Sequence, residues 1–299
     1  MQKLQLSLHL AGCPCHLVHH AAEKGTLFLP FSIDEILIDT FYYFKHSSKR
    51  LAALEEKQLL FGVTNINILK HVQTRWLSIG RSLQRVLENW DALKAYFKEE
   101  RKETTTQQQK SNRNLQSRLQ RLEEFFASPS KRLYCIFLQF AIKPFDEFNT
   151  IMQSEAPMIH LLRLNLHKFL NSLFNRFLKP SCRLGKNLLE VKFEDTNNYR
   201  KDDEIIIGDE TRKFIGNAKD NYLKSSRVQE FYRNVKMFYV ESCRYLIDKL
   251  QINEELKVRA EVAYPQLRLS SSFSDIRYFL EQFPILVPSS KFVLDATLG

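Results

Sequence analysis

The sequence predicts a mostly α-helical protein with a small α/β part, on three observations. Apolar residues recur every three or four positions along most of the chain, the spacing of one helix face. Glycine is scarce, 8 of 299 residues, so few tight turns and few backbone phosphate cradles can form. Near the start, Leu4, Leu6, Leu8 and Leu10 alternate with Gln5, Ser7 and His9. That period of two describes a half-buried strand, whereas a signal peptide needs a continuous apolar block. With 44% hydrophobic and 12% aromatic residues, the chain has the mass for a core. Its 299 residues allow two domains, or one core carrying a large insertion.

The elements follow in order. Gly12 and Pro14 end the strand, and a helix is expected from about Cys15 to Lys24, closed by Gly25. Ser32, with Glu35 three residues on, has the spacing of a capping box and starts a second helix buried through Ile33, Ile36, Leu37, Phe41 and Phe44. A third runs from Ser48 to about Phe61 and stops at Gly62. An extended piece over 66–72 leads to Thr74-Arg75-Trp76, and from Trp76 one long helix carries Ile79, Leu83, Val86, Leu87, Trp90, Leu93 and Phe97 on its apolar side. Residues 98–114 contain no hydrophobic residue and read as a linker or a solvated helix end. Further stripes are Leu115 to Phe126 and Leu133 to Met152, the latter kinked at Pro144. Another lies between Pro157 and Pro180. A polar stretch over 194–204 leads to Ile205-Ile206-Ile207, read as a short strand closed by Gly208. A long helix over 227–250 and a short one over 274–281 complete the chain before Pro284 and Pro288.

Several function classes are excluded. GxGxxG, GxxxxGK[ST] and GxSxG are all absent, against dinucleotide-binding, P-loop and serine-hydrolase chemistry. No apolar run approaches the ~20 residues that span a bilayer, so no membrane partner is expected. Five cysteines without regular spacing fit reduced thiols in an intracellular compartment. The net charge of +10 is shared by both halves of the chain, compatible with a polyanionic partner but without a basic tail.

Four groups of residues could carry chemistry. Cys13-Pro14-Cys15-His16, with His19 and His20, offers thiolates and imidazoles, and His16 and His20 share a helix face. A structural zinc needs four ligands and no second Cys/His pair is present, so no bound zinc, and no other cofactor, is expected. Small thiols and flat imidazoles can equally pack where strand meets helix. The carboxylates Asp202-Asp203-Glu204 and Asp209-Glu210 read as solvated loop residues. Arg75 beside Trp76 could clamp a phosphate while the indole stacks on a base, or Trp76 could be the first core residue of its helix. Arg81 and Arg85, a turn apart, either extend a phosphate-contacting stripe or form an ordinary wet face.

Gly12-Cys13-Pro14-Cys15-His16, then Phe41-Tyr42-Tyr43-Phe44-Lys45-His46-Ser47-Ser48-Lys49-Arg50, then Thr74-Arg75-Trp76-Leu77-Ser78, resemble hAT-superfamily transposases and their domesticated relatives. Phe231-Tyr232, Phe238-Tyr239-Val240 and Phe283-Pro284 look like the same lineage, so the resemblance covers nearly the whole chain. It implies a partial ribonuclease-H-like core interrupted by a large all-helical insertion. The parts would be core over 1–97, linker over 98–114, insertion over 115–265 and a return to the core over 266–299.

Such transposases cut DNA with three carboxylates that hold two metal ions. In the family pattern two of these lie upstream of the Cys-x-x-His motif, here Cys13 to His16, and the third lies in a C-terminal segment beyond this sequence. The expectation is a truncated or domesticated transposase-derived protein without catalytic residues, nuclear or otherwise cytoplasmic. It would bind nucleic acid through Arg75, Trp76, Arg81 and Arg85. The alternative is a helical protein-interaction scaffold without affinity for DNA. An active nuclease would need carboxylates such as Asp195, Asp202 or Glu204 to converge.

Overall fold

The computed structural model describes residues 12–63, 67–71, 78–106, 113–155, 157–218, 224–252, 254–264, 266 and 272–283. The first three helices form much as the sequence dictates. Pro14 sits in the first turn of α1 (Pro14–Thr26), where its missing N–H leaves nothing unpaired. Ser32 caps α2 (Ile33–Phe44) by accepting the Glu35 N–H at 3.3 Å. After α3 (Ser48–Leu60), Gly62 takes the left-handed conformation (φ 66°), and the Val63 N–H reaches back to the Gln58 carbonyl at 2.8 Å.

Gly25 departs from expectation. It does not stop α1 but lies inside it, facing α11 (Ser225–Leu250). A Cβ there would come 2.5 Å from Ser242 Oγ and 2.8 Å from Phe238 Cδ2. The glycine is required because two helix backbones approach closely. Val18, Ala21 and Ala22 line the same buried face, all small enough to keep that approach.

The single helix expected from Trp76 to Phe97 is two: α4 (Ile79–Glu88) and α5 (Trp90–Thr106). Asn89, fully buried, makes the break. Its amide donates to the Arg85 carbonyl at 2.8 Å, beside its own backbone N–H at 3.2 Å, and accepts from Gln58 Nε2 at 2.6 Å, so the side chain caps the last turn of α4 and ties in α3. The polar stretch after Phe97 continues α5 to Thr106 and returns as α6 (Arg113–Ala127). The two are joined by Trp90 against Phe126 (5.0 Å between ring centres) and by Phe97 stacked on Phe126 (5.4 Å). Buried residues from both sides of 98–114 belong to one continuous core, running from Val18 to Ile252.

Helices α7 (Pro129–Ala141) and α8 (Lys143–Met152) meet at Ile142, next to the expected kink at Pro144. Helix α9 (Ile159–Phe177) occupies the span between Pro157 and Pro180. Its last carbonyls, which an isolated helix leaves unpaired, accept from a collar of irregular chain. Arg200 N–H donates to Phe177 O at 2.8 Å and Ile206 N–H to Arg176 O at 2.9 Å. For this reason Ile205-Ile206-Ile207 is not a strand. Its alternation is real, with Ile205 and Ile207 buried, but its backbone pairs with a helix end. Gly208 follows at φ 87°, where a Cβ would lie 2.7 Å from the Phe140 ring.

Sequence signals did not reveal α10 (Asp209–Ala218) or α12 (Glu255–Arg259). Lys257 of α12, buried, closes the end of α11, donating to Leu250 O at 2.5 Å and Gln251 O at 3.2 Å. Helix α13 (Phe273–Gln282) matches its expected span and is held to α12 by the Arg259–Asp275 ion pair at 2.6 Å.

The fold is thus mostly α. Among the described residues the only β feature is an isolated antiparallel bridge between Leu178 and Tyr199. The strand expected over 4–10 lies outside the described residues, and the described part of 66–72 has no regular structure. The ribonuclease-H-like part of the expectation therefore has no sheet within the described residues. Most of the return segment expected over 266–299 also lies outside them. No described helix is long and apolar enough to cross a membrane.

Two substitutions test these joints. Gly25→Ala gains about 1 kcal/mol of helix propensity but forces α1 from α11, so a net loss of about 1–2 kcal/mol is expected by urea denaturation. Asp39 of α2, 6% exposed, accepts from Arg118 Nε at 2.8 Å and also pairs with Arg121, both on α6. Asp39→Ala removes both charged hydrogen bonds and should cost about 2 kcal/mol by the same measurement.

Candidate nucleic-acid interface

Helix α1 puts its motif residues on two faces. His16, His20 and Glu23, four and three residues apart, follow one another along the outside. His20 Nδ1 lies 2.8 Å from Glu23 Oε2, and His20 Nε2 lies 2.9 Å from His16 Nε2. The two imidazoles meet edge-on, with ring centres 4.3 Å apart. Cys13, exposed, precedes the helix as its N-cap residue. Burial pushes the Cys15 thiol up, with Cys13 beside it adding to the shift, so Cys15 is no ready thiolate.

His19 points the other way, into the protein. Burial holds its pKa down to about 4; His20 is the next contributor, Glu23 opposes, and His16 and His71 add to the lowering. His71 belongs to the irregular segment after α3, and its side chain is fully buried. Its Nδ1 lies 3.0 Å from Ser78 Oγ, at the entry to α4. Its Nε2 lies 2.9 Å from Asp34 Oδ1, in the first turn of α2, off the line of a good hydrogen bond. One corner of the molecule therefore gathers the Cys-x-x-His helix, the start of α2, His71, and Ser78 from the Thr74–Ser78 motif.

Arg75 and Trp76 lie outside the described residues. Arg81 and Arg85 are on α4, but their surroundings differ. Arg85 pairs with Glu88 at 3.1 Å. Arg81 is near Asp146 of α8, whose carboxyl burial pushes up to about 6 while the Arg81 charge pulls it back. Neither guanidinium thus stands in a purely basic field. Among the described residues no three His, Cys, Asp or Glu side chains converge as metal ligands.

The carboxylates on the collar are engaged otherwise. Asp195 Oδ1 accepts the Asn197 N–H at 2.9 Å, Asp202 pairs with Lys236 at 2.8 Å, and Asp209 and Glu210 sit in the first turn of α10. Sequence reasoning missed a second surface feature, a cavity of about 340 Å³ whose lining includes Trp90, Lys94, Phe126, Arg132 and Phe214. Arg132 is oriented there by two hydrogen bonds to Asp91, 2.8 and 3.1 Å. Its parts come from α5, α6, α7 and α10, and no local pattern could have announced it.

The buried His19 gives this corner an acid sensitivity. The unfolded imidazole binds a proton near pH 6.5 and the folded one only near 4. Protons therefore favour unfolding, and stability is lost as pH falls through that window. Between pH 7 and pH 5 the His19 contribution should fall by about 2 kcal/mol. His19→Gln should flatten that part of the pH profile, read as the difference between variant and parent in chemical denaturation.

Comparison with protein-family models, with curated proteins and with solved structures finds no match to this chain.

Proposed function

We propose that this chain is a transposase-derived protein that binds nucleic acid without cleaving it. The observation that carries the reading is the corner around His71. The motif helix of Cys13 and His16 and the flank of the Thr74–Ser78 motif are far apart in sequence, yet His71 influences His19 and contacts Ser78. Ser78, the one described residue of the Thr74–Ser78 signal, is thus linked through His71 to the Cys-x-x-His helix. The net charge of +10 supports a polyanionic partner. Non-cleavage is supported by the structural employment of Asp195 and Asp202, two of the three carboxylates, with Glu204, that a chance metal site would have drawn on.

A second reading, a protein-interaction scaffold, is favoured by the end of α3. There Leu59, Leu60 and Phe61 are 78%, 74% and 47% exposed in succession.

The test is binding to labelled single-stranded and hairpin DNA over a range of salt concentrations. The logarithm of the affinity should fall linearly with log salt, and Arg75→Ala should flatten that slope. Trp76→Ala should weaken binding about tenfold to a hundredfold if the indole stacks on a base. If Trp76 is core, the same change should cost about 3–5 kcal/mol of stability instead. A folded Trp76→Ala protein with unchanged affinity, or a parent protein without salt-sensitive binding, favours the scaffold. Strand cleavage in magnesium or manganese would refute the non-catalytic reading.

A further inference from the structure

We infer that His16 and His20 form an open two-histidine site for one borderline divalent cation, zinc, nickel or copper. This inference is independent of the nucleic-acid reading. It departs from the sequence expectation of no bound zinc, which rested on the lack of four ligands, since an open site keeps its remaining positions for water or another donor.

The geometry points to a cation because the same atom of each ring is turned inward. Nε2 of His16 and Nε2 of His20 face each other at 2.9 Å. Two nitrogens on one tetrahedral zinc, each ~2.0–2.1 Å from the metal, lie about 3.3 Å apart. The rings need open by only a few tenths of an ångström.

Glu23 sets the chemistry of the pair. Its carboxylate, 2.8 Å from His20 Nδ1, holds the proton on that nitrogen and leaves the Nε2 lone pair free. Without metal, that lone pair accepts a hydrogen bond from His16 Nε2–H. With metal, the His16 proton moves to Nδ1 of the same exposed ring, so the neutral imidazole exchanges tautomer without net proton release.

Helix α1 also keeps both ligands in place. Val18, Ala21, Ala22 and Gly25 form its buried face, with Gly25 against Phe238 and Ser242 of α11, and the Tyr245 ring of α11 lies 6.4 Å from His20. Imidazole nitrogens select zinc, nickel and copper, whereas magnesium and calcium take oxygen ligands.

The experiment is calorimetric titration of zinc chloride into the chelator-treated full chain, repeated in excess magnesium. One zinc per chain is expected, undiminished by magnesium. His16→Ala and His20→Ala should each abolish binding, Glu23→Gln should weaken it roughly tenfold or more, and Cys13→Ser should leave it unchanged. Circular dichroism establishes that each variant is folded. Absence of saturable binding, retention of it in folded His16→Ala, or its loss in Cys13→Ser would overturn the proposal. Full affinity in Glu23→Gln would do the same, because the carboxylate would then orient nothing.

Discussion

The close contact between α1 and α11 is the constraint on which the remaining arrangement depends. Gly25 brings the first helix directly onto Phe238 and Ser242 of the longest one. From α11 the packing spreads through aromatic rings. Phe137 meets Phe231 and Phe238 edge-on at 5.7 Å each, and Phe177 stacks on Tyr239 at 5.8 Å. A second aromatic centre joins Tyr43 of α2 to Phe97 of α5 (5.2 Å) and Phe97 to Phe126 of α6. Ring pairs of this kind add modest directional energy to a large burial term, so they fix how helices of ordinary amphipathic pattern are rotated. The motif face of α1 points outward because its opposite face is committed to α11.

Polar groups inside the molecule serve as joints. Asn89 ends one helix and begins the next, Lys257 closes α11, and Asp39 clamps two arginines of α6. Each satisfies groups that burial would otherwise leave unpaired. The irregular chain after α9 works in the same way, with its N–H groups completing the end of a helix. That explains how a long stretch whose regular structure is limited to four short 3₁₀ turns can lie against a helical core.

Helix existence was readable where the apolar period was long and bounded by a known signal, as with Ser32 before α2, Gly62 after α3 and the prolines around α9. It was misread where a residue had two uses. Gly25 looks like a stop, but its role is set by a helix distant in sequence. Asn89 sits in an unbroken apolar pattern, and its break coincides with a hydrogen bond to Gln58 that only the folded chain creates. The three isoleucines alternate as a strand does, yet alternation reports burial of one side and says nothing of what the backbone pairs with. For the site, the sequence placed His16 and His20 on one helix face, as found. It could not show that His19 turns inward or that His71 links α2 and α4, because both depend on packing between elements.

The docking of α1 on α11 also has a temporal side. The two surfaces are separated by roughly two hundred residues of chain. At about 5–20 residues per second, a ribosome needs roughly 10–40 seconds to travel that distance. Through that interval the apolar face of α1 has been made but its native cover has not. The nascent chain must therefore be sheltered, or find temporary contacts, before its first helix can take its final place.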